Sequence, residues 1–154
     1  MVKLLDNMQQ PELLNHIGWH LWRASNAWNL EFRNCMINAG YHWFSEARSQ
    51  LVPYVDRGGT RQALLVTRTG LTKQAVQQFV DQLVDDGIVE RQADPDDARG
   101  KLVTFTKKGL AMLKAANQIK KDIEKKYRKH LGVQKFEQLC ATLVELDTLS
   151  EAEE

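Results

Sequence analysis

The sequence predicts a mainly α-helical fold with one small β-hairpin. Three observations predict it. Apolar residues recur at helical steps near both ends of the chain. Gly70 parts two short helical patterns in the middle. After Gly87 the period drops to two, with Val103 and Phe105 alternating against Thr104 and Thr106.

The first helix is expected from Pro11, which suits an opening turn, to a stop at Gly40. Leu14, Ile17, Leu21, Ala24, Trp28, Phe32, Cys35 and Ala39 form its stripe. Trp19, Trp22, Leu30 and Ile37 lie off that stripe, so the helix should be covered on two sides, by its own domain and by a partner. A second helix is expected over Phe44 to Val55, closed by Pro53 and "DRGG". A third covers Thr60 to Thr69, with Thr60 as N-cap. Thr72 caps the fourth, which ends at Gly87. "IVERQA" and "KLVTFT" read as strands, with "DPDDARG" as the loop between them. Thr106 caps a long helix to His130, built on Leu110, Leu113, Ala116, Ile119, Ile123 and Tyr127. After Gly132 a last helix, Gln134 to Leu149, spaces Phe136, Leu139, Leu143 and Leu146 at alternating steps of three and four, a coiled-coil-like seam. No repeat or linker divides the 154 residues, which suit a single domain.

Hydrophobic residues are 43% and charged ones 27%, a globular balance. No apolar run is long enough for a signal peptide or a bilayer span, so a cytoplasmic protein without a membrane partner is expected. Cys35 and Cys140 have no zinc spacing and are expected as buried packing residues. Net charge is only +1, but its distribution is uneven. Arg57, Arg61, Arg68 and Lys73 meet no carboxylate up to Val80, and Arg99, Lys101, Lys107 and Lys108 form a second unopposed group. The acids gather at Asp94, Asp96 and Asp97 and in "ELDTLSEAEE". Such asymmetry marks either a binding face or an ordinary solvated surface.

On a helical wheel, Ala75, Val76, Phe79, Val80 and Leu83 face one way in the fourth helix. Gln74, Gln77, Gln78 and Asp81 face the other, with Lys73 at the flank. Glutamine amides donate and accept, and pair with adenine in bidentate fashion. The first two turns hold no carboxylate, although a helix N-terminus would welcome one. An anion docked there explains the omission, and the helix starts at Thr60, Thr72 and Lys107–Lys108 offer places for it.

The stretch "LTKQAVQQFVDQLVDDGIVERQADPDDARGKLVTFTKKG" resembles the recognition helix and wing of the MarR (multiple antibiotic resistance regulator) family of winged helix-turn-helix regulators. Leu83 with Gly87 ahead of "IVER", the wing motif Asp97-Ala98-Arg99, and Thr106 with Gly109 carry the match. The resemblance implies a winged helix-turn-helix lobe over residues 41–109 and a dimerisation lobe from 11–40 and 110–150. It implies a homodimer on double-stranded DNA, commonly a repressor on a pseudo-palindromic operator, with Phe136, Leu139, Leu143 and Leu146 in the interface. It implies that Arg99 enters the minor groove, held by Asp97. The expected DNA contacts are then Thr60, Arg61, Gln62, Thr72, Lys73, Gln74, Gln77, Gln78, Asp97, Arg99 and Lys101. It implies, for many members, a small-molecule crevice between the dimerisation and DNA lobes; the tryptophans are either packing residues or an aromatic pocket for a small flat ligand there, among Trp19, His20, Trp22, Arg23, His42 and Trp43. Val66 and Thr69 stand where the family usually has alanine and an apolar residue, so the third helix should stand slightly apart from the fourth.

Four rival readings stand beside this one. No phosphate loop, HExxH or nucleophile elbow is present, so no enzyme, catalytic residue or cofactor is expected. His16 and His20 share a helical face, and Glu31, Cys35 or His42 could complete a metal site, but no third ligand is in sequence register. A redox switch at Cys35 or Cys140, or a winged helix used only for protein contact, completes the alternatives.

Overall fold

A computed structural model describes residues 15–95 and 97–151. Five helices and a three-stranded antiparallel sheet follow in the order α1 (Ile17–Asn38), β1 (Thr60–Arg61), α2 (Gln62–Thr69), α3 (Lys73–Asp85), β2 (Val89–Asp94), β3 (Asp97–Phe105), α4 (Lys107–Leu131) and α5 (Val133–Glu151). Pro11 and Leu14 lie outside the described residues. Asn15 and His16 are not helical, and α1 opens where the His16 ring accepts the Trp19 amide at 3.3 Å. It closes before Gly40, whose φ of 96° is the left-handed geometry expected of a stop. The expected stripe is engaged only near the C-terminal end. Met36, absent from that stripe, is the fully buried residue, whereas Ile17 and Leu21 are exposed.

The expected second helix is replaced by two 3-10 stretches, His42–Ser45 and Ala47–Tyr54. Glu46 between them is extended (φ −99°, ψ 157°). Ser45 and Ser49 turn their hydroxyls back onto the carbonyls of His42, Phe44 and Glu46, and Pro53 has no amide hydrogen to give. Both effects favour short tight turns over an α-helix.

Thr60 is not an N-cap. It pairs with Val103 in β1, is 1% exposed, and accepts the Asp56 amide at 2.8 Å. The third helix therefore starts two residues late, at Gln62, with Arg61 in a cap position that makes no side-chain cap bond. Gly70 turns the chain through φ 66°, and Thr72 caps α3 by accepting the Ala75 amide at 3.1 Å. Thr69 serves the turn: its hydroxyl donates to the Leu65 carbonyl at 2.7 Å and accepts the Leu71 amide at 3.3 Å.

The wing differs from its expected form. Asp97 to Gly100, read as loop, belong to β3, so the hairpin strands reach almost to the tip. Val89 pairs with Phe105 and Gln92 with Leu102, and the register slips between Ala93 and Asp94. The sheet order is β1-β3-β2.

Thr106 caps α4, accepting the Gly109 amide at 3.0 Å and donating to the Gly87 carbonyl at 2.6 Å. Met112, Ala116 and Ile123 are buried on α4, while Leu110, expected in the stripe, is exposed. One core joins Met36, Leu51, Leu65, Val76, Val80, Leu83, Ile88, Val103 and Met112. It sits under α3 and the wing base and holds them as one body. On α5 only Phe136 of the seam is buried, beneath the Arg128 guanidinium at 4.6 Å. Cys140 is exposed in the single chain, contrary to its expected burial, and Cys35 is half-buried.

Candidate nucleic-acid interface

The amphipathic split of α3 holds. Val76, Val80 and Leu83 are fully buried, while Lys73, Gln74, Gln77, Gln78 and Asp81 are exposed. The first turns of α2, α3 and α4 all lack acidic residues. Thr72 and Thr106 each satisfy one first-turn amide, and no carboxylate competes for those that remain.

Several charges that are unopposed in sequence are opposed in space. Arg61 pairs with Asp94, whose side chain is 2% exposed at the wing. Burying a carboxylate without a cation would cost several kcal/mol, roughly, so this Arg61 is structural in the free chain. Arg68 reaches Asp56 at 2.8 Å and the Tyr54 carbonyl at 3.0 Å. That hydrogen bond is the main reason the Asp56 carboxyl titrates below its ordinary range. Lys108 donates to the Asp86 carbonyl at 2.6 Å, where the negative end of α3 attracts a cation. It therefore faces the protein rather than an approaching phosphate, and Lys107 is left exposed.

A row of hydrogen bonds crosses the interface. Gln62 Nε2 on α2 donates to Gln77 Oε1 at 2.6 Å. Gln77 Nε2 donates to Asp81 Oδ1 and Oδ2 at 3.0 and 3.1 Å. Arg91 on β2 donates to Asp81 Oδ1 at 2.5 Å. These bonds, that from Gln77 first, hold the Asp81 carboxyl below its usual range. Their contribution is present above the unfolded value and is lost as pH falls through the lowered one. Gln74 and Gln78 make none of these bonds and remain open on the same face. Val66 lines a groove of about 240 Å³ with Gln62, Ala63 and Lys73, between α2 and α3.

The remaining expected sites are dispersed. Of the expected DNA contacts, Thr60 is buried and Arg61 is paired. Gln62 and Gln77 are tied together, while Lys73, Gln74, Gln78 and Lys101 are exposed. Thr72 is a cap beside them. The side chains of Asp97 and Arg99 lie outside the described residues. The expected aromatic pocket is not assembled within one chain. Trp19 stacks on Trp22 at 4.9 Å, and His20 meets Asn15 at 3.2 Å, with Arg23 exposed beside them. Trp43 packs on Phe44, beside exposed His42, and Phe44 meets Phe32 of α1 edge-on at 5.8 Å. At 1.5 Å per residue, the ten residues from Trp22 to Phe32 set the two groups about 15 Å apart along the helix. His16 is used as a cap, and no group of three or more His, Cys, Asp or Glu is placed to hold a metal among the described residues. Sequence reasoning missed Arg91 and Asp94. The pairing of β2 with β3 brings both to the interface, and neither belongs to a local motif.

No helix among the described residues is long and apolar enough to cross a membrane. Residues 49–100 match the model of the MarR family. No curated protein sequence matches. Among solved structures, the transcriptional repressor CouR bound to a 23-mer DNA duplex is 22% identical, with a TM-score of 0.70 over 91% of this chain and 98% of that one. A mutant MarR from E. coli complexed with operator DNA is 20% identical, with a TM-score of 0.65 over 84% and 92%. A probable transcriptional regulator from Pseudomonas aeruginosa is 26% identical, with a TM-score of 0.65 over 87% and 98%.

Proposed function

We propose that the chain, whose residues 49–100 match the MarR family and whose fold is that of solved MarR-family regulators, is a DNA-binding transcriptional regulator. It acts as a homodimer on a pseudo-palindromic operator and represses. The observation that carries the proposal is the outward face of α3, where Lys73, Gln74 and Gln78 stand exposed at an acid-free helix start beside the wing. Two of the similar structures hold DNA, which supports the same reading for this chain.

A gel shift with DNA from upstream of the chain's own gene, followed by randomised-site selection, tests it. Half-site centres should lie about one turn, ~10 bp, apart. Gln74→Ala or Gln78→Ala should relax preference at one position per half-site, at ~1–3 kcal/mol each. Selection of no sequence at all would sink the proposal. Arg99→Ala should weaken binding to every sequence and lower the salt slope by about one unit for each phosphate it no longer neutralises. If the weakening instead follows A·T content, Arg99 reads a narrow minor groove.

Release by a small aromatic acid belongs to the proposal, with the Trp19–Trp22 stack, whose outer ring Trp22 is exposed, as its aromatic surface and Arg23 as its cation. Such a ligand must bind the unbound form better than the bound one, since equal affinity shifts nothing. Salicylate-like compounds should quench tryptophan fluorescence and release DNA together. If both effects survive Trp22→Ala, the stack is not the site.

A further inference from the structure

We propose that Asp81 is a positioning residue that sets the direction of the Gln62 and Gln77 amides and so fixes which hydrogen-bonding group Gln62 offers to a base. The inference rests on the DNA-reading role of α2 and α3. A carboxylate only accepts hydrogen bonds. Both Asp81 oxygens lie within 3.1 Å of Gln77 Nε2, so the nitrogen end of that amide is turned toward Asp81. The oxygen end is then turned away, and it accepts from Gln62 Nε2 at 2.6 Å. Gln62 is left with its own Oε1 uncommitted. Reversing Gln77 would set its oxygen against the carboxylate and its nitrogen against the Gln62 nitrogen, breaking both links at once. Arg91 holds Asp81 from the wing strand at 2.5 Å, so the direction is anchored in the sheet.

For recognition, the first consequence concerns Gln77. Although it sits in the middle of the reading face, it spends its oxygen and part of its amide nitrogen on protein partners and is not available for a bidentate contact with adenine. Gln62, by contrast, is presented with its Oε1 free to accept, beside the one N–H that Gln77 does not use. Exocyclic amines, N6 of adenine and N4 of cytosine, are the donors that the major groove offers to an acceptor. The row lies in or near water in the free chain, where it adds little to folding. Once DNA excludes that water, an amide pointing the wrong way leaves a buried polar group unpaired, and its direction becomes decisive.

Randomised-site selection with the full chain, Asp81→Asn and Asp81→Glu tests the role, alongside side-chain amide spectra of Gln62 and Gln77 without DNA. An asparagine amide both donates and accepts, so it no longer imposes a direction. Asp81→Asn should relax the preference for an amine-bearing base about tenfold at one position per half-site. Preferences set by Gln74 and Gln78 and the melting temperature should stay unchanged, and Asp81→Glu should restore the native preference. Total affinity should rise in Asp81→Asn, because a negative charge near the phosphates is gone. The Gln62 and Gln77 amide resonances should both shift in Asp81→Asn. Unshifted amides, an unchanged base preference, or an even loss at every position would overturn the positioning role. A native chain that selects no sequence would overturn the DNA-reading proposal and this role with it, so the two failures are distinguishable.

Discussion

Leu143→Asp is expected to give monomers that no longer retain a two-half-site operator. Leu139, Leu143 and Leu146 are 45%, 42% and 44% exposed in the single chain, although they share one seam of α5. Leu143 and Leu146, with Leu21 of α1 and Val144, line an open groove of about 470 Å³. Each such side chain gains about 1.5–3 kcal/mol when fully buried, so a partner that covers the seam from both protomers has ample driving force. A carboxylate at its centre would be desolvated without a cation, at a cost of several kcal/mol, roughly. Sedimentation velocity at micromolar concentration reads the assembly, and a gel shift reads the operator. Leu143→Met should stay dimeric, because it keeps volume and apolarity. A dimeric Leu143→Asp protein would show that another face joins the protomers.

The second large effect is on folding. Gly109→Ala should destabilise the chain by about 3 kcal/mol, the upper part of the usual range for overpacking. A Cβ on Gly109 would lie 2.0 Å from the Ile88 carbonyl oxygen and 3.0 Å from the Phe105 ring. The first of these is backbone inside the core and cannot rotate away. The first turn of α4 is also pinned there by the bonds of the Thr106 hydroxyl. At roughly 2–4 °C per kcal/mol for a chain of this size, melting should fall by about 6–12 °C. Gly70→Ala is the comparison. It has φ 66° but nothing within 4 Å of the added carbon, so it should cost only about 1–2 kcal/mol of left-handed strain. Melting curves followed by circular dichroism compare the two. A smaller loss for Gly109→Ala than for Gly70→Ala would mean that α4 sits farther from β2 than described.

Much of the fold was legible where its cause is local. Gly70, Thr72, Gly87 and Thr106 punctuate the chain by backbone conformation and capping, and each acts at its expected place. The two faces of α3 were legible because its outer side carries amides without apolar interruption. Features with distant causes were not. β1 is only two residues long and exists because Thr60 and Arg61 pair with Val103 and Leu102. Thr60 is a common cap residue, and its sequence neighbours do not show that a strand has buried it. Arg61 looked unopposed because its carboxylate, Asp94, lies 33 residues away. The spacing of the tryptophans was not legible either, because residues grouped by type along a helix are still spread along its axis: Trp19 stacks on Trp22, while Trp43 reaches Trp28 only through Phe44 and Phe32. Met36 and Met112 stand one position off the stripes drawn through Cys35 and Leu113, yet the unbranched methionines fill the space between elements.

The joint where Thr106 and Gly109 meet Gly87 and Ile88 is a fulcrum. It fastens the end of α3, the base of the wing and the start of α4 at one point. From there α4 extends for 25 residues, a rigid arm of about 37 Å. A lateral shift of about 3 Å at the far end of such an arm corresponds to a rotation of about 5° at the fulcrum. Because no flexible linker intervenes, that rotation passes directly to α3. In the proposed dimer, the distance between the two reading helices is therefore set by how the far ends of α4 and α5 are seated, remote from any base.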